Sequence, residues 1–117
     1  MIEGSCHCGA VTYQYRRQAK RTTSCNCSVC RRLAVLWIYA PLAEVTVTGK
    51  TVGYMRGEKS LAFHHCPTCG VTTHWEPVDR SDPEAYMAVN LRLADPDVVA
   101  KVPVRHFDGA DTWEFLD

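Results

Sequence analysis

Seven cysteines in a chain of 117 residues constrain this protein more than any other feature of its sequence. They fall into three groups: Cys6 with Cys8, the run "CNCSVC" at 25–30, and "CPTC" at 66–69. Cysteines separated by one or two residues can direct both sulfurs to one metal ion. A domain this short has a modest core, so a metal cross-link would help it fold. The pattern predicts metal ligands, and the odd number argues against complete disulfide pairing.

Length, charge and the first residues limit where such a chain can act. The length fits one domain, so we expect a single unit spanning 1–117. The start, "MIEGSCHCGA", shows no apolar signal segment, and no apolar run approaches the roughly 20 residues of a membrane helix. We therefore expect a cytoplasmic protein with reduced thiols and no membrane partner. Basic and acidic residues number 13 each, which argues against nucleic acid as a partner.

Most of the sequence predicts short β-strands. Alternating or β-branched apolar residues mark the segments 10–16, 35–40, 44–49, 51–57, 60–66, 71–76, 85–93 and 102–109. We expect 44–49 and 51–57 to form a hairpin, and 60–66 and 71–76 to flank a turn that holds the second C-x-x-C. A short helix is predicted at 94–100, with Asp95 as N-cap and Pro96 in the first turn. The fold class is therefore mainly β, with few short helical turns.

The spacing allows one site with four cysteines and one with three. The first would join Cys6, Cys8, Cys66 and Cys69, and the second would consist of Cys25, Cys27 and Cys30. Four protein ligands are typical of structural zinc, whereas three ligands and a position for substrate are typical of catalytic zinc. Spacing alone leaves open that a histidine closes the second site without any chemistry. The candidate histidines are His7, His64, His65 and His74.

The charge of a three-cysteine site indicates the kind of substrate it would accept. Zn²⁺ with three thiolates carries a net charge of about −1, which weakens its ability to generate hydroxide. Such an ion is better suited to a fourth sulfur, and a substrate thiol would bind as thiolate with its pKa lowered by the metal. Arg31 and Arg32 could offset the negative charge or hold a substrate carboxylate. These residues therefore favour a thiol substrate.

Three blocks of the sequence carry a family resemblance. Together, "GSCHCGAVTY" (4–13), "CNCSVCRR" (25–32) and "HHCPTCG" (64–70) resemble the glutathione-dependent formaldehyde-activating enzyme family, which includes centromere protein V. The resemblance implies a β-tent of small coiled antiparallel sheets organised by zinc. It also implies two zinc ions per chain, a structural ion and a catalytic ion that could be labile. Their ligands would be Cys6, Cys8, Cys66 and Cys69 for the first, and Cys25, Cys27 and Cys30 for the second.

The resemblance also implies a reaction. The family joins formaldehyde to the thiol of glutathione, giving S-hydroxymethylglutathione. We therefore expect a zinc-dependent carbon–sulfur lyase with a small thiol such as glutathione as its partner. The alternative is a non-catalytic zinc-binding interaction module. A redox enzyme would need a free nucleophilic cysteine, and the division into four and three leaves none.

A few other residues invite a functional interpretation. Asn26 lies between cysteines and could donate a hydrogen bond to a thiolate or shape the turn. His106 and Asp108 would share one face of a strand and could form a histidine–carboxylate pair. Trp37 and Trp113 are expected in the core rather than in a substrate site.

Overall fold

The computed structural model describes residues 1–117 as ten short strands with little helix. The strands are β1 Ile2–Ser5, β2 Thr12–Tyr15, β3 Thr22–Cys25, β4 Trp37–Pro41, β5 Val45–Thr48, β6 Val52–Met55, β7 Leu61–His65, β8 Thr72–Pro77, β9 Tyr86–Asn90 and β10 Val104–Phe107. The α-helices are α1 Cys30–Leu33 and α2 Pro96–Ala100, and 3-10 turns cover Leu42–Glu44 and Leu91–Leu93. None of the helices combines the length and the apolar character needed to cross a membrane.

The strands form two sheets, which confirms the mainly β class. One sheet has the order β1-β2-β5, and the other has the order β10-β3-β4-β9-β8-β7-β6. All neighbours are antiparallel except β10, which pairs with β3 in parallel. This parallel pair was not expected, and it arises because the chain passes through α2 before β10 joins the edge beside β3. The pairing brings the end of the chain next to the first cysteine of "CNCSVC".

The main core lies between the small sheet and the centre of the large one. Tyr13 from β2 packs with Ile38 of β4 and Val89 of β9 in one apolar cluster. Both tyrosines of β2 are buried, and each phenol donates a hydrogen bond to a backbone carbonyl. Tyr13 donates to the Asn90 carbonyl at 2.9 Å, and Tyr15 donates to the Tyr39 carbonyl at 2.8 Å. Buried hydroxyls need such partners, so these two bonds fix how the small sheet sits on the large sheet.

The predicted hairpin of 44–49 and 51–57 is wrong. Both segments are strands, but β5 pairs with β2 and β6 pairs with β7, so they belong to different sheets. Gly49 between them has φ +107°, and a Cβ there would run into the carbonyl oxygen of Ala10. The backbone therefore leaves one sheet through a tight passage that only glycine permits. The β-branched pattern predicts strands but does not choose their partners.

The hairpin of β7 and β8 is confirmed, with the second C-x-x-C in its turn. The Cys66 amide donates to the Val71 carbonyl at 3.0 Å, and the Gly70 amide donates to the Cys66 carbonyl at 2.9 Å. Phe63 pairs with Trp75 across the hairpin, and the next pair, His64 with His74, points to the opposite face. This hairpin therefore presents an aromatic face and a histidine face.

Candidate metal centres

Four sulfurs meet where the loop after β1 reaches the turn between β7 and β8. The Sγ atoms of this four-cysteine group, Cys6, Cys8, Cys66 and Cys69, all lie within 4.8 Å of one another. Two of the separations are 3.7 Å, between Cys6 and Cys8, and 3.6 Å, between Cys8 and Cys66. Sulfurs around a tetrahedral zinc ion are about 3.8 Å apart. The spacing of this group therefore fits a zinc ion.

Backbone amides surround the four-cysteine group and favour thiolates. The amide of Val11 points at the Cys6 sulfur at 3.3 Å, and that of Thr68 points at the Cys66 sulfur at 3.4 Å. Amides of Val71 and Cys8 lower the pKa of Cys69 to about 6. Hydrogen bonds to the charged form of a ligand stabilise it, so this donor set is prepared for a cation.

A second group of sulfurs lies at the end of β3 and the start of α1. The Sγ atoms of this three-cysteine group, Cys25, Cys27 and Cys30, also lie within 4.8 Å of one another. The Cys30 amide donates to the Cys27 sulfur at 3.3 Å, and the indole N–H of Trp37 donates to the Cys30 sulfur at 3.4 Å. Burial raises the pKa of Cys30 to about 12, while the Trp37 N–H acts in the opposite direction. The three thiols are therefore suited to a soft divalent cation such as zinc.

No other histidine, cysteine or carboxylate joins the three-cysteine group. Of the four candidate histidines, His64 and His74 belong to a separate cluster with Glu76, and His7 and His65 belong to none. The alternative in which an imidazole of the chain completes the second site therefore has no support in the geometry.

The three-cysteine group lines a cleft with aromatic walls, here called the aromatic cleft, with a volume of about 640 Å³. Its aromatic lining consists of Trp37, Tyr39, Phe63, Trp75, Phe107 and Trp113. Trp37 is 1% exposed, as expected of a core residue, whereas Trp113 is 71% exposed, so its expected core position is wrong. Trp113 instead packs edge-on against Phe107 at the rim, with ring centroids 5.1 Å apart.

The charged side chain that contacts a sulfur of the three-cysteine group is Arg56, not one of the two arginines that follow Cys30 in the sequence. The guanidinium of Arg56, which follows β6, lies 3.9 Å from the Cys27 sulfur. Arg32 instead donates to the Ser28 carbonyl at 2.8 Å, and Arg31 makes no hydrogen bond to a sulfur. The sequence offered no signal for Arg56, because only the pairing of β6 with β7 brings it to the cleft.

The segment after β10 closes over the first cysteine of the three-cysteine group. A Cβ added to Gly109 would lie 2.6 Å from the Cys25 sulfur, so the backbone here passes directly against that thiol. Asn26 anchors the segment: its amide nitrogen donates to Asp108 at 3.0 Å, and its amide oxygen accepts from the Ala110 N–H at 3.0 Å. Asn26 therefore bonds neither to a thiolate nor within its own turn.

The pair of His106 and Asp108, which strand alternation would have allowed, does not form. His106 Nδ1 lies 2.7 Å from the Asp117 carboxylate, while Asp108 accepts from Asn26 and from the hydroxyl of Thr112. The hydrogen bond from Asn26 helps to hold the pKa of the Asp108 carboxyl below its usual range. The strand ends before Asp108, so the alternation that would have aligned the two side chains is lost.

Comparison with known proteins decides the family. A family model described as glutathione-dependent formaldehyde-activating enzyme matches residues 1–107. The chain belongs to this family. Membership of this family supports a function of the glutathione-dependent, formaldehyde-activating type, with a small thiol as partner. The part of the cleft rim formed by Gly109 and Trp113 lies beyond the matched residues.

A solved structure agrees with the family assignment. The chain is similar to a Rhodobacter sphaeroides protein whose crystal structure was determined as a structural genomics target. The two share 30% sequence identity with a TM-score of 0.69, over 88% of this chain and 99% of the other. The resemblance read from the three cysteine blocks is thereby confirmed.

Proposed function

We propose that this member of the formaldehyde-activating family is a zinc-dependent carbon–sulfur lyase acting on a thiol–aldehyde adduct of the S-hydroxymethylglutathione type. The observation that carries the proposal is the three-cysteine group, which lines the aromatic cleft without a fourth protein donor. Cys25, Cys27 and Cys30 would hold the catalytic ion, and the thiol of the substrate would bring the fourth sulfur. The four-cysteine group would hold a structural ion and make 1–117 one zinc-organised domain.

The reaction itself needs little from the protein beyond an activated sulfur and orientation. The thiol sulfur bonds to the aldehyde carbon, and the thiol proton ends on the aldehyde oxygen; the reverse direction breaks the same carbon–sulfur bond. Zinc on three thiolates would lower the pKa of the incoming thiol and favour its thiolate form. A substrate bound against the aromatic walls would displace water around the reacting atoms, which would strengthen electrostatic interactions there.

Residues of the chain would position both the sulfurs and the substrate. The Trp37 N–H and the Cys30 amide hold the ligand sulfurs of Cys30 and Cys27 in place and spread their negative charge. Arg56 stands at the cleft, 3.9 Å from the Cys27 sulfur, where it would attract a thiolate or a carboxylate of the incoming thiol. The cleft therefore combines an apolar wall with one cation beside the sulfurs.

The reaction can be followed by exchange NMR with ¹³C-formaldehyde and glutathione. We expect zinc-loaded protein to accelerate exchange between free formaldehyde and S-hydroxymethylglutathione, and Cys27→Ser to remove the acceleration while the four-cysteine group keeps its zinc. Arg56→Gln should raise the KM for glutathione, whereas Arg31→Gln, an arginine without a sulfur contact, should not. An exchange rate equal to that of the buffer would refute the glutathione–formaldehyde reaction.

Cobalt spectroscopy separates an enzyme from the non-catalytic zinc module. In protein whose three-cysteine group carries Co²⁺, a bound thiol adds a sulfur ligand and changes the sulfur-to-cobalt absorption. The enzyme predicts this change with glutathione or another small thiol. A spectrum that no thiol alters would favour the interaction module instead.

A further inference from the structure

The histidine face of the β7–β8 hairpin carries a third cluster of metal-type ligands. His64 of β7 pairs across the hairpin with His74 of β8, and Glu76 lies two residues further along β8 on the same face. One ligand atom from each of the three residues lies within 4.8 Å of the other two. The cluster is largely shielded, because His74 is 2% exposed and the Glu76 side chain is 15% exposed. It shares no residue with either cysteine group.

The distances in this cluster are too long for hydrogen bonds and suited to a shared ion. Glu76 Oε1 lies 3.5 Å from His64 Nε2 and 3.8 Å from His74 Nε2. An N–H···O hydrogen bond spans about 2.7–3.2 Å. Two ligands bonded to one tetrahedral ion at about 2.0–2.1 Å are about 3.3 Å apart. A contraction of a few tenths of an ångström would therefore bring Oε1 to ligand spacing from each of the two imidazole nitrogens.

The other ring nitrogens are already occupied by threonine hydroxyls. Nδ1 of His74 lies 2.8 Å from Thr73 Oγ1, and the Thr73 hydroxyl is directed at the His64 carbonyl, 3.4 Å away. In the tautomer that lets Thr73 direct its proton to this carbonyl, Thr73 accepts the N–H of His74 Nδ1, and a neutral imidazole has only one N–H. His74 Nε2 then presents a lone pair to the Glu76 carboxylate. Two facing lone pairs repel unless a cation lies between them.

The surroundings support the same arrangement for the other two ligands. Thr51 Oγ1 lies 2.8 Å from Nδ1 of His64, so that ring can adopt the same tautomer as His74. The two imidazoles stack with their centroids 4.5 Å apart and their planes 10° apart, and both Nε2 atoms lie near the same carboxylate oxygen, Glu76 Oε1. Arg80 binds the other oxygen of Glu76 and leaves Oε1 to the histidines. Partners that fix ligand tautomer and orientation in this way are typical of metal sites.

We infer that Nε2 of His64, Nε2 of His74 and Oε1 of Glu76 form a third metal site, for a first-row divalent ion. Two imidazoles and one carboxylate suit zinc, nickel or cobalt, whereas magnesium and calcium prefer oxygen ligands throughout. The site contains no sulfur, so its ion is spectroscopically distinct from any ion on the cysteines. It lies on the face of the hairpin opposite the aromatic cleft and is independent of the reaction proposed above.

The probe is Co²⁺ added to protein whose cysteine groups already hold zinc, because thiolates select zinc. We expect one further cobalt ion per chain by equilibrium dialysis, with visible d–d bands and no sulfur-to-cobalt absorption. In the unmutated protein, the ring protons of His64 and His74 should show paramagnetic shifts in NMR. Glu76→Gln should weaken this binding at least about tenfold. His106→Gln is the matched control, since His106 also faces a carboxylate but has no third ligand.

The remaining outcomes would overturn the site. These are no uptake beyond the cysteine equivalents, cobalt that always shows sulfur-to-cobalt absorption, or equal affinity in Glu76→Gln and the unmutated protein. If Glu76→Gln fails to fold, the NMR measurement on the unmutated protein decides. Shifts at both His64 and His74 support the site, and shifts confined to other histidines refute it.

Discussion

The hydrogen bond from Trp37 to the Cys30 sulfur gives a quantitative test of how the fold prepares the three-cysteine group. Trp37→Phe keeps an aromatic ring in a position that is 1% exposed, but it removes the only side-chain N–H directed at that sulfur at 3.4 Å. A hydrogen bond to a charged group contributes about 1.5–3 kcal/mol. At about 1.4 kcal/mol per factor of ten, the zinc affinity of the three-cysteine group should fall roughly 10- to 140-fold.

Competition with a chromophoric zinc chelator measures the affinity of both cysteine groups in one titration. The four-cysteine group serves as an internal reference, because Trp37 makes no hydrogen bond to any of its sulfurs, and its affinity should stay within about twofold. Trp75→Phe is the matched control, since Trp75 lines the same cleft without a bond to sulfur. An unchanged affinity of the three-cysteine group in Trp37→Phe would refute this role of the indole N–H. Equal weakening of both groups would refute it as well, because it would mean that the fold has loosened.

Three further changes test the protonation, the surroundings and the structural role of the two cysteine groups. Burial raises the pKa values of Cys25 and Cys30, so zinc must displace protons from these thiols when it binds. The zinc affinity of the three-cysteine group, measured by chelator competition, should therefore rise between about pH 6 and pH 8. An affinity that does not change with pH would contradict this. Gly109→Ala would place a methyl group 2.6 Å from the Cys25 sulfur and should weaken cobalt binding to the three-cysteine group. Ala110→Ser is the control and should leave cobalt binding unchanged. Equal sulfur-to-cobalt absorption in the two variants would count against the contact. Cys66→Ser removes a fully buried thiol of the four-cysteine group. Because structural zinc contributes about 10 kcal/mol or more in small domains, the change should abolish the cooperative thermal transition seen by circular dichroism, and an unshifted Tm would exclude a structural ion there.

Sequence patterns predicted what depends on near neighbours along the chain. Cysteines one to three positions apart could be grouped from the sequence because the local backbone holds them together. That Cys6 and Cys8 meet Cys66 and Cys69 is a long-range contact, which only the family resemblance implied. The β7–β8 hairpin could be predicted from the sequence because a turn between two alternating segments fixes their pairing. The partner strands of β5 and β6 could not be predicted in this way, because the neighbours of these β-branched strands depend on contacts with distant parts of the chain.

The same distinction separates the predicted and unpredicted parts of the site. Arg56 and Gly109 reach the three-cysteine group only through the pairing of β6 with β7 and of β10 with β3. No local pattern marks either residue as a neighbour of sulfur. The cluster of His64, His74 and Glu76 also depends on more than the turn, because the register of β7 and β8 shifts between His64 and His65. An unbroken register from the pair of His65 and Thr72 would place His64 opposite Thr73, so the sequence alone does not predict the cluster.

The β7–β8 hairpin makes the two cysteine groups unequal in their influence on each other. Its turn carries Cys66 and Cys69, and its aromatic face supplies Phe63 and Trp75 to the cleft beside the three-cysteine group. Loss of an ion from the turn would therefore loosen a wall of the cleft, whereas loss of an ion from the three-cysteine group leaves the turn and its backbone hydrogen bonds in place. Removal of an ion from the four-cysteine group should therefore weaken the proposed catalysis, while removal of an ion from the three-cysteine group should leave the fold intact. This asymmetry is what one structural and one catalytic ion require, and two ions of equal structural importance would not produce it.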